Sequence, residues 1–498
     1  MIPKRPGTHV PMPPGGISKK SFKVQLINQK CKNLDLQQVK VFVFAPSEIT
    51  AKLIAHPMKT KYLILSLLPF LLCAFFSDGF VHPDEHYQIL ELLNLKISAF
   101  HKTEIFNWDF HLKMRSWFQV FIYFLIAKIS FVSNPFTLAF LFRLLNALLA
   151  WLGLYLLVDV KRLAFISWVW FVPFLLVRTS SEALSTSLFL LGAFFFQKDG
   201  KKNSIFSGLL WGMSFLMRFQ MGIPILAVNI WKFVRDRKWK EGLLHSLAIV
   251  LLVLVGVVID RWGYGEWTFT PFSYLKYNIF ESRASEFGTS PFWYYLTAPI
   301  VKGGPPLALL LVVGSLLYWK QNLRGFWSIA SLSFLLIHML IPHKELRFLT
   351  FVYILAPYFL SQVVLGTGRP WKALWGLAIL TNVLISCKTL LTPAHSTTNL
   401  YRYVYGDSIP VYLTPPQEDG SYFKLTMPFY EGRSVVTRPS SSIGPGSYIT
   451  TTYKEYLLFS KSNSCRNTFS NYPEWVLDQN FFRWREHSAI LNVWNCEG

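Results

Sequence analysis

Long apolar runs separated by short polar clusters dominate the chain from about residue 62 to residue 386. Runs that approach the roughly 20 residues needed to cross a bilayer predict membrane-spanning helices. They lie at residues 62–76, 117–131, 136–158, 163–177, 183–196, 205–231, 243–259, 305–318, 325–341, 349–365 and 374–386. Several runs are short, so we predict about ten to twelve spanning helices. The pattern predicts an all-α polytopic membrane protein.

Lysine and arginine concentrate in short clusters between the apolar runs, and by the positive-inside rule such clusters face the cytoplasm. Although the formal net charge is +22, this clustering argues against nucleic-acid binding. The clusters lie at residues 59–61, 198–202, 232–240, 320–324 and 369–372. The opposite face then receives residues 78–115, 260–302, 343–347 and about 388–498. Lys161 and Arg162 fit this arrangement poorly.

Three regions follow from these patterns: a basic cytoplasmic extension at 1–57, a transmembrane module at 58–388, and an extramembrane C-terminal domain at 389–498. Residues 1–60 carry ten lysines and arginines against Asp35 and Glu48, which is typical of a mobile basic segment. Met58 is an alternative native start, because a basic flank and an apolar run follow it directly. A cleaved signal peptide is disfavoured, since no small-residue cleavage site follows.

The five cysteines form no CxxC pair and no metal-ligand spacing. Only Cys465 and Cys496 lie together in a polar region. A disulfide between them is compatible with an oxidising compartment, and the sequence leaves this pairing open.

The stretch HPDEHYQ, residues 82–88, follows the first apolar run. Pro83 fixes its own φ and favours an extended conformation at His82, so a rigid turn presents Asp84 and Glu85 where the chain leaves the helices. A carboxylate beside apolar walls loses hydration, which raises its pKa and makes it a better proton acceptor. The alternative is an N-terminal cap for the following helix, because acidic groups complement the helix dipole there. Both interpretations stay open.

A second cluster, HKELRF at residues 343–348, lies between two apolar runs and directly after Pro342. His343, Lys344 and Arg347 would meet a lipid phosphate at the membrane surface, where cations can neutralise a phosphate leaving group. The alternative is snorkelling to the interface, with a local pair between Lys344 and Glu345.

A third cluster, DRWGYGEW at residues 260–267, is rich in aromatic residues. Such side chains are typical of an interfacial belt, and they also stack on sugars. Four charged residues fall within or beside apolar runs, where a charge is costly in lipid and should face the protein interior. They are Arg143, Arg178, Glu182 and Arg218. A local pair of Arg178 with Glu182 at i, i+4 is the simplest alternative for those two.

Together these motifs resemble glycosyltransferase family 22, the multi-pass mannosyltransferases of the GT-C superfamily. The resemblance covers roughly residues 62–360. It rests on HPDEHYQ, the WDF and RSW stretches within 108–117, GLLWGMSFLMRFQ at 208–220, DRWGYGEW, the block from 278 to 291, and PHKELRF. It implies a GT-C fold with about ten to twelve transmembrane helices, a long first lumenal or periplasmic loop, and residues 58–388 as the catalytic module.

Two later stretches, TPAHST at 392–397 and YLTPP at 412–416, resemble the branch that adds the third mannose to glycosylphosphatidylinositol (GPI) anchors. The chain departs from that branch at Ala394, where a cysteine is common, and at Ser290 and Phe292, where histidine and tryptophan are usual. The acceptor and the linkage position therefore stay open.

The resemblance also implies a reaction. Family members take mannose from a polyprenyl phosphate mannose, such as dolichyl phosphate mannose, and pass it with inversion to a lipid-linked glycan. An acidic residue of the first loop serves as general base, which maps onto Asp84 with Glu85 as the competing neighbour. No metal or other cofactor is expected, because a lipid phosphate is already a good leaving group.

The resemblance also implies substrate-binding roles for residues at matching positions of this sequence. Donor-phosphate contacts are expected from Arg115, His343, Lys344 and Arg347. Further substrate contacts are expected from His82, His86, Gln88, Asp260, Arg261 and Tyr264.

The expected partners are the polyprenyl-phosphate donor, a lipid-linked glycan acceptor such as a GPI precursor, and the membrane, with the chain acting as a monomer. A eukaryotic chain would lie in the endoplasmic reticulum and a bacterial one in the inner or plasma membrane, with the active site facing the lumen or periplasm. The sequence contains no Asn-x-Ser/Thr sequon, which permits a bacterial source. A lipid or sugar transporter is the alternative function, but the internal repeat common in transporters is absent from the sequence.

Overall fold

The computed structural model describes residues 57–97, 108–281, 283–363, 365, 368–405, 411–413, 427–431 and 445–497. Except for Pro57, the predicted basic extension lies outside the described residues. The first helices are α1 Pro57–Phe76, α2 Pro83–Glu85, α3 Glu91–Ile97, α4 Trp108–His111, α5 Phe118–Ser130, α6 Pro135–Leu157, α7 Val160–Ser167, α8 Phe171–Leu176, α9 Ser181–Phe196, α10 Lys201–Met217, α11 Gly222–Asp236 and α12 Trp239–Tyr264.

The helices that follow are α13 Thr270–Leu275, α14 Tyr294–Lys302, α15 Pro305–Gln321, α16 Phe326–Leu340, α17 Thr350–Gln362, α18 Arg369–Leu391, α19 Thr397–Val404, α20 Tyr453–Ser460, α21 Glu474–Leu477 and α22 Trp484–His487. Short π-helices occupy His86–Leu90 and Lys276–Phe280. Short 3₁₀ turns occupy Phe219–Met221, Arg283–Phe287, Leu346–Leu349 and Phe481–Arg483.

Among the described residues, four helices are by themselves long and apolar enough to cross a membrane: α1 from Lys59 onward, α6, α12 and α18. Their outer faces carry exposed apolar side chains such as Leu254 and Leu384, a surface suited to lipid rather than water. Helices α15 and α16 are long and apolar enough to cross a membrane only when they are taken together. The angle between them is 119°. Shorter apolar helices pack beside the long ones.

Helix α5 is not a membrane span, which corrects the prediction for residues 117–131. Its 13 residues cover only about 20 Å at 1.5 Å per residue. At its start, Trp117 donates its backbone N–H to Asp260, near the end of α12, at 2.7 Å. Just past its end, the ring of Phe136 stacks on Tyr430 of the C-terminal region. Both ends of α5 therefore lie on the side opposite the basic loops.

Helix α6 runs antiparallel to α1. The Arg143 Nε atom donates to a carbonyl in the last turn of α1 at 2.9 Å, and further along α6 the indole of Trp151 donates to Ser66 Oγ at 2.9 Å. The end of α6 thus lies on the side where α1 begins. Lys161 and Arg162, which follow α6, therefore lie with the other basic loops, and their poor fit to the predicted topology is resolved.

Glycines let α9, α10 and α12 approach closely, as small residues do at helix interfaces in membranes. A Cβ atom at Gly208 would lie 2.4 Å from the carbonyl oxygen of His245, and one at Gly192 would lie 2.3 Å from the Trp211 ring. Farther along, the Ser214 hydroxyl donates to the Ser185 carbonyl at 2.7 Å, which holds the start of α9 against the end of α10, where two charged side chains of the candidate site lie.

The C-terminal region contains a four-stranded sheet that the sequence analysis did not predict. The strands are β1 Val411–Leu413, β2 Gly446–Thr450, β3 Cys465–Ser470 and β4 Asn492–Cys496, in the order β1-β2-β4-β3. β1 is parallel to β2, and the other two pairings are antiparallel. Cys465 and Cys496 face each other on β3 and β4 and form a disulfide. The pairing that the sequence left open is therefore present.

The segment before α19 docks on the first loop. The backbone N–H groups of Ala394 and His395 donate to the carbonyl of Asp78 at 2.7 and 3.2 Å, and the His395 ring stacks on Phe80 with centroids 4.3 Å apart. Gly79 has φ +85°, and a Cβ there would lie 2.9 Å from the His395 side chain. The C-terminal region thus braces the loop that carries the HPDEHYQ motif.

Candidate active site

A helix of three residues presents the two acidic residues of HPDEHYQ. Pro83 starts α2, and His82 caps it by accepting a hydrogen bond from the Asp84 backbone N–H at 3.2 Å. The Glu85 carboxylate accepts from the backbone N–H groups of Val81 and His82 at 3.1 and 3.2 Å. This reciprocal capping box satisfies donors at the helix start. The capping interpretation therefore applies to Glu85.

Asp84 lines a polar cavity, and its Oδ2 atom lies 2.7 Å from Nη1 of Arg347. Burial would raise the pKa of Asp84, but its hydrogen bond with His82 and the charges of Arg347 and Arg115 together hold that pKa well below its usual range. Its side chain remains 27% exposed. At neutral pH Asp84 is therefore an ionised and accessible carboxylate.

Glu85 is enclosed instead, with an exposure of 5%. Its Oε1 atom accepts the two capping hydrogen bonds, while Oε2 has no hydrogen-bond partner in the described part of the chain. Burial raises the pKa of Glu85 to about 7, although the charge of Arg178 and the capping bonds act in the opposite direction. Two adjacent carboxyl groups thus have opposite pKa shifts.

Arg347 is the cation at the centre of the site. It lies in the 3₁₀ turn before α17, where its Nε atom donates to Glu345 at 2.6 Å and its Nη1 atom lies 3.6 Å from Glu182. Burial would lower the pKa of Arg347, but the negative charges of Glu182, Glu345 and Asp84 outweigh this effect. Together they raise the pKa above its usual value. The guanidinium group is therefore permanently charged and held by three carboxylates.

Glu182 has a long-range partner. It lies in the first turn of α9 and pairs with Arg218 at the end of α10. Arg178 instead donates to the carbonyls of Ser77 and Gly79, at 2.6 and 3.3 Å. The local Arg178–Glu182 pair considered from the sequence is therefore not formed, whereas the predicted burial of both residues, and of Arg143 and Arg218, is confirmed.

Arg115 supplies a further positive charge to the cavity. Its Nε atom lies 3.4 Å from the buried carboxylate of Asp109, and its guanidinium group lies over the Tyr274 ring, 5.8 Å from the centroid. The Tyr264 hydroxyl donates to the Arg115 carbonyl at 2.8 Å. The second extramembrane loop, residues 260–302, therefore holds Arg115 in place on the first loop, residues 78–115.

The polar cavity has an empty volume of about 500 Å³, including its open mouth. Carboxylates, guanidinium groups and amides line it together with a few apolar side chains. The lining residues are Asp84, Glu85, Gln88, Ile89, Arg115, Ser116, Gln119, Ser180, Ser181, Glu182, Met217, Arg218, Phe219, Gln220 and Tyr274. This lining of charged and amide groups suits a polar, hydroxyl-bearing ligand such as a sugar.

A second cavity is an apolar groove with an empty volume of about 1180 Å³. Side chains of α8, α14, α15 and α17 line much of it, including Leu175, Leu296, Leu311, Val352 and Ala356. Arg347 also lines this groove. Because Arg347 pairs with Asp84, one guanidinium group connects the apolar groove with the polar cavity.

His343 and Lys344 bind the second loop. The Lys344 Nζ atom donates to the carbonyls of Ser290, Ile341 and Pro342, at 3.0, 2.6 and 3.4 Å. The ring of His343 contacts the carbonyl of residue 288 and the Glu345 carboxylate, both at 3.0 Å. All three Lys344 bonds go to backbone carbonyls. None of them goes to the Glu345 carboxylate, which the sequence suggested as a local partner. The phosphate contacts of these two residues stay predictions.

The other residues of HPDEHYQ differ in position. Gln88 lines the polar cavity, and the Nε2 atom of His82 lies 3.5 Å from Glu345. His86 is buried, lies 2.5 Å from Glu91 and stacks on Tyr430. His86 therefore connects the first loop to the C-terminal region, away from the cavity lining.

The predicted residues of the second loop lie outside the cavity lining. Asp260 is buried and accepts hydrogen bonds from Trp117 N and from the hydroxyls of Ser116 and Thr270, while Arg261 is exposed. Asp260 and Tyr264 thus hold the first loop against α12. Their predicted substrate contacts, and that of Arg261, stay predictions.

Gln119, Gln220 and Tyr274 line the cavity and were not predicted. Gln220 donates to the Tyr274 hydroxyl, which ties the second loop to the end of α10. Gln119 lies inside the run 117–131 as its main uncharged polar residue before Lys128. An amide inside an apolar run needs polar partners, and this was the signal available in the sequence.

Within the described ranges, no group of three or more His, Cys, Asp or Glu residues could hold a metal ion. Two of the cavity carboxylates, those of Asp84 and Glu182, have arginine partners instead. Metal-independent activity stays a prediction.

Comparison with known proteins gives a family match over most of the chain. The family model described as "Alg9-like mannosyltransferase family" matches residues 62–407. GPI alpha-1,2-mannosyltransferase 3 of Bos taurus is 25% identical over 378 residues, 70% of this chain and 68% of that protein. GPI mannosyltransferase 3 of Candida albicans is 26% identical over 306 residues, 58% and 61% of the two chains. The matches thus span roughly two thirds of these relatives.

Among solved structures, ArnT from Cupriavidus metallidurans, bound to undecaprenyl phosphate, aligns with a TM-score of 0.51. The alignment covers 90% of this chain and 98% of ArnT at 12% sequence identity. The likeness is one of fold, and it confirms the predicted helical membrane architecture of the GT-C type.

Proposed function

The chain belongs to the Alg9-like mannosyltransferase family and is therefore a glycosyltransferase, and from this premise we propose its donor, acceptor and mechanism. The donor is a polyprenyl phosphate mannose of the dolichyl type. The acceptor is a lipid-linked glycan such as a GPI precursor. Transfer inverts the anomeric configuration, from a β donor to an α product, and the chain acts as a monomer.

The position of Arg347 carries this proposal. A polyprenyl phosphate sugar has an apolar chain, a charged phosphate and a polar sugar, in that order. The apolar groove, the Arg347 guanidinium group and the polar cavity follow in the same order. Such a donor would place its chain in the groove and its phosphate at Arg347, a residue type well suited to phosphate. ArnT, which has this fold, binds undecaprenyl phosphate, and this supports the same ligand class here.

In this mechanism Asp84 is the general base. The acceptor hydroxyl attacks the anomeric carbon of mannose from the face opposite the phosphate, and its proton passes to Asp84. The bond between the anomeric carbon and the phosphate oxygen breaks, and the electron pair leaves with polyprenyl phosphate. Arg347 and Arg115 stabilise the negative charge on the leaving group.

The pairing of Asp84 with Arg347 bears on base strength. Glu85, with a pKa of about 7, has the pKa better suited to a base at neutral pH. However, its carboxylate is buried and one oxygen caps α2. When a donor phosphate draws Arg347 away, Asp84 loses a stabilising charge and becomes a stronger base. The accessible carboxylate is thus activated only with donor in place.

The relatives that carry GPI in their names support a GPI precursor that lacks its third mannose as the acceptor. The disulfide between Cys465 and Cys496 is typical of an oxidising compartment. The site lies on the same side as this disulfide, opposite the basic loops. We therefore place the reaction in the lumen of the endoplasmic reticulum, or in the periplasm for a bacterial chain.

The donor is tested with the purified protein in lipid nanodiscs and a GPI precursor that lacks the third mannose. Labelled mannose is offered as dolichyl phosphate mannose or as GDP-mannose, and labelled glucose as dolichyl phosphate glucose. The proposal predicts transfer from dolichyl phosphate mannose alone. Transfer from GDP-mannose contradicts the proposal. Failure to transfer mannose from either mannosyl donor contradicts it as well.

A further inference from the structure

Three buried side chains of the polar cavity keep polar atoms without a hydrogen-bond partner among the residues that the structure describes. These atoms are Oε2 of Glu85, Oε1 of Gln119, and Nε and Nη2 of Arg218. The three residues line the same cavity and are only 5%, 2% and 5% exposed. Buried polar atoms are almost always paired in folded proteins, so three such groups around one cavity mark it as a candidate site for a polar ligand.

The other polar atoms of these side chains are engaged, which fixes each group in place. Gln119 donates from Nε2 to the Thr179 carbonyl at 2.9 Å and to the Tyr123 hydroxyl at 3.2 Å. Arg218 pairs through Nη1 with Glu182. Glu85 is held by its two capping bonds through Oε1. The unpartnered atoms are therefore preorganised.

Their chemistry matches a polyhydroxylated ring. Arg218 offers two donors, Gln119 offers an acceptor, and Glu85 offers an acceptor or, when protonated, a donor. A hydroxyl group both donates and accepts, so it can bridge such groups. We propose that Glu85, Gln119 and Arg218 bind hydroxyl groups of the sugar that the donor carries, and that they set the preference for mannose. This inference rests on the proposed function.

The donor sugar fits this position better than the acceptor. Asp84 lines the same cavity as the three groups and pairs with Arg347. A sugar whose phosphate lies at Arg347 would therefore lie in the cavity that Asp84 shares with the three groups. This shared cavity assigns the three groups to the transferred sugar.

The test compares binding of two lipids, dolichyl phosphate mannose and sugar-free dolichyl phosphate, to the protein in nanodiscs without acceptor. The variants are Arg218→Lys, which keeps a charge beside Glu182 but loses both free donors, and Gln119→Met, which removes the amide at similar volume. We expect wild type to prefer the mannosylated lipid, and each variant to lose about tenfold or more of that preference. Binding of the sugar-free lipid should stay unchanged and reports correct folding.

The matched control is Glu241→Gln. Glu241 also has a buried carboxylate oxygen that finds no partner within the described ranges, but it lines a different pocket, between α10, α11 and α12. The Glu241→Gln variant should prefer the mannosylated lipid over the sugar-free lipid as strongly as wild type does. A preference unchanged in both cavity variants overturns the inference and means that the three groups hold only water. Failure of wild type to bind either lipid overturns the proposed function instead.

A second arm distinguishes the two sugars. Dolichyl phosphate glucose, which differs from the mannosyl donor only in configuration at C2, should bind wild type more weakly than the mannosyl lipid. Glu85→Gln, which keeps the capping oxygen but replaces the free oxygen by an amide, should reduce this difference. A variant that keeps the full donor preference but loses acceptor affinity would contradict the assignment to the donor sugar.

Discussion

The Arg347 Nη1 atom lies 2.7 Å from Oδ2 of Asp84, at the point where the apolar groove meets the polar cavity. Arg347 lines the groove and Asp84 lines the cavity. An arginine in this position can bind a phosphate while its carboxylate partner faces the bond next to that phosphate. In the proposed mechanism this pair links donor binding to base strength.

Replacing Arg347 should impair transfer strongly. Arg347→Met removes the charge that stabilises the leaving phosphate in the proposed mechanism, so we expect kcat to fall by about 10²- to 10³-fold. Arg347→Lys keeps the charge but not the planar fork, so its loss should be smaller. The measurement is the transfer rate at saturating donor.

The same variant should shift the pH profile. Without the neighbouring cation the pKa of Asp84 rises in the free enzyme, and a base acts only when deprotonated. The acid limb of kcat/KM for the donor, which reports the free enzyme, should therefore move to higher pH in Arg347→Met. Arg162→Met, on the opposite side of the membrane, is the control and should keep both rate and profile. An acid limb that does not move would argue against Asp84 as the titrating group.

Glu85 should make stability depend on pH. Its pKa is about 7 in the folded protein and near 4.5 when unfolded, so the folded state holds the proton more tightly. This contribution to stability is fully present below pH 4.5 and is lost as pH rises through 7. The full effect is roughly 3 kcal/mol from the shift in pKa.

Glu85→Gln removes the titration, so the apparent Tm of the variant relative to wild type should rise between pH 5 and pH 8. The measurement is thermal unfolding in detergent at both pH values. A Tm difference that is constant with pH, or that changes in the opposite direction, rules out a buried Glu85 with a raised pKa.

Asp78 holds three parts of the protein together. Its buried carboxylate pairs with Arg143 of α6 and with Arg402 of α19. Asp78→Asn leaves a buried guanidinium group without its counter-charge, so we expect a loss of about 3 to 5 kcal/mol in the free energy of unfolding. Amide hydrogen exchange should also increase in α19, which reports its release from the first loop.

The control for Asp78 is Asp159→Asn. Both side chains of the Asp159–Arg162 pair are about half exposed. Loss of this pair should therefore lower the free energy of unfolding by less than about 1 kcal/mol. Equal effects of the two substitutions would mean that Asp78 contributes no more than a surface pair.

Transfer should not require a metal ion. The positive charge at the leaving phosphate comes from Arg347 and Arg115 in this mechanism, so activity in EDTA should stay within about twofold of the untreated value. Loss of activity in EDTA that Mn²⁺ or Mg²⁺ restores would contradict this expectation.

Much of this architecture could be predicted from the sequence, because lipid imposes strong rules. Apolar runs and basic loops indicated the helical membrane fold, and the cost of charge in lipid indicated that Arg143 and Arg218 are buried. The rigid turn at Pro83 likewise follows from local chemistry. Each of these inferences depends on residues close together in the chain.

The parts that could not be predicted depend on residues far apart in the chain. The partner of Glu182 is Arg218 on the next helix, and Lys344 binds carbonyls of the second loop as well as its own turn. An apolar run of 15 residues does not by itself distinguish a short span from a helix on the membrane surface, which is why α5 was mispredicted. The contacts at its two ends, with Asp260 and with the C-terminal region, distinguish these alternatives.

The most direct test measures kcat for labelled mannose transfer from dolichyl phosphate mannose by wild type, Asp84→Asn and Glu85→Gln, at saturating donor and matched expression. If Asp84 is the base, Asp84→Asn loses two or more orders of magnitude, as general-base removal does, while Glu85→Gln keeps kcat within about tenfold and loses mainly donor affinity. If Glu85→Gln abolishes transfer and Asp84→Asn does not, the base is Glu85 and the mechanism proposed for Asp84 is wrong.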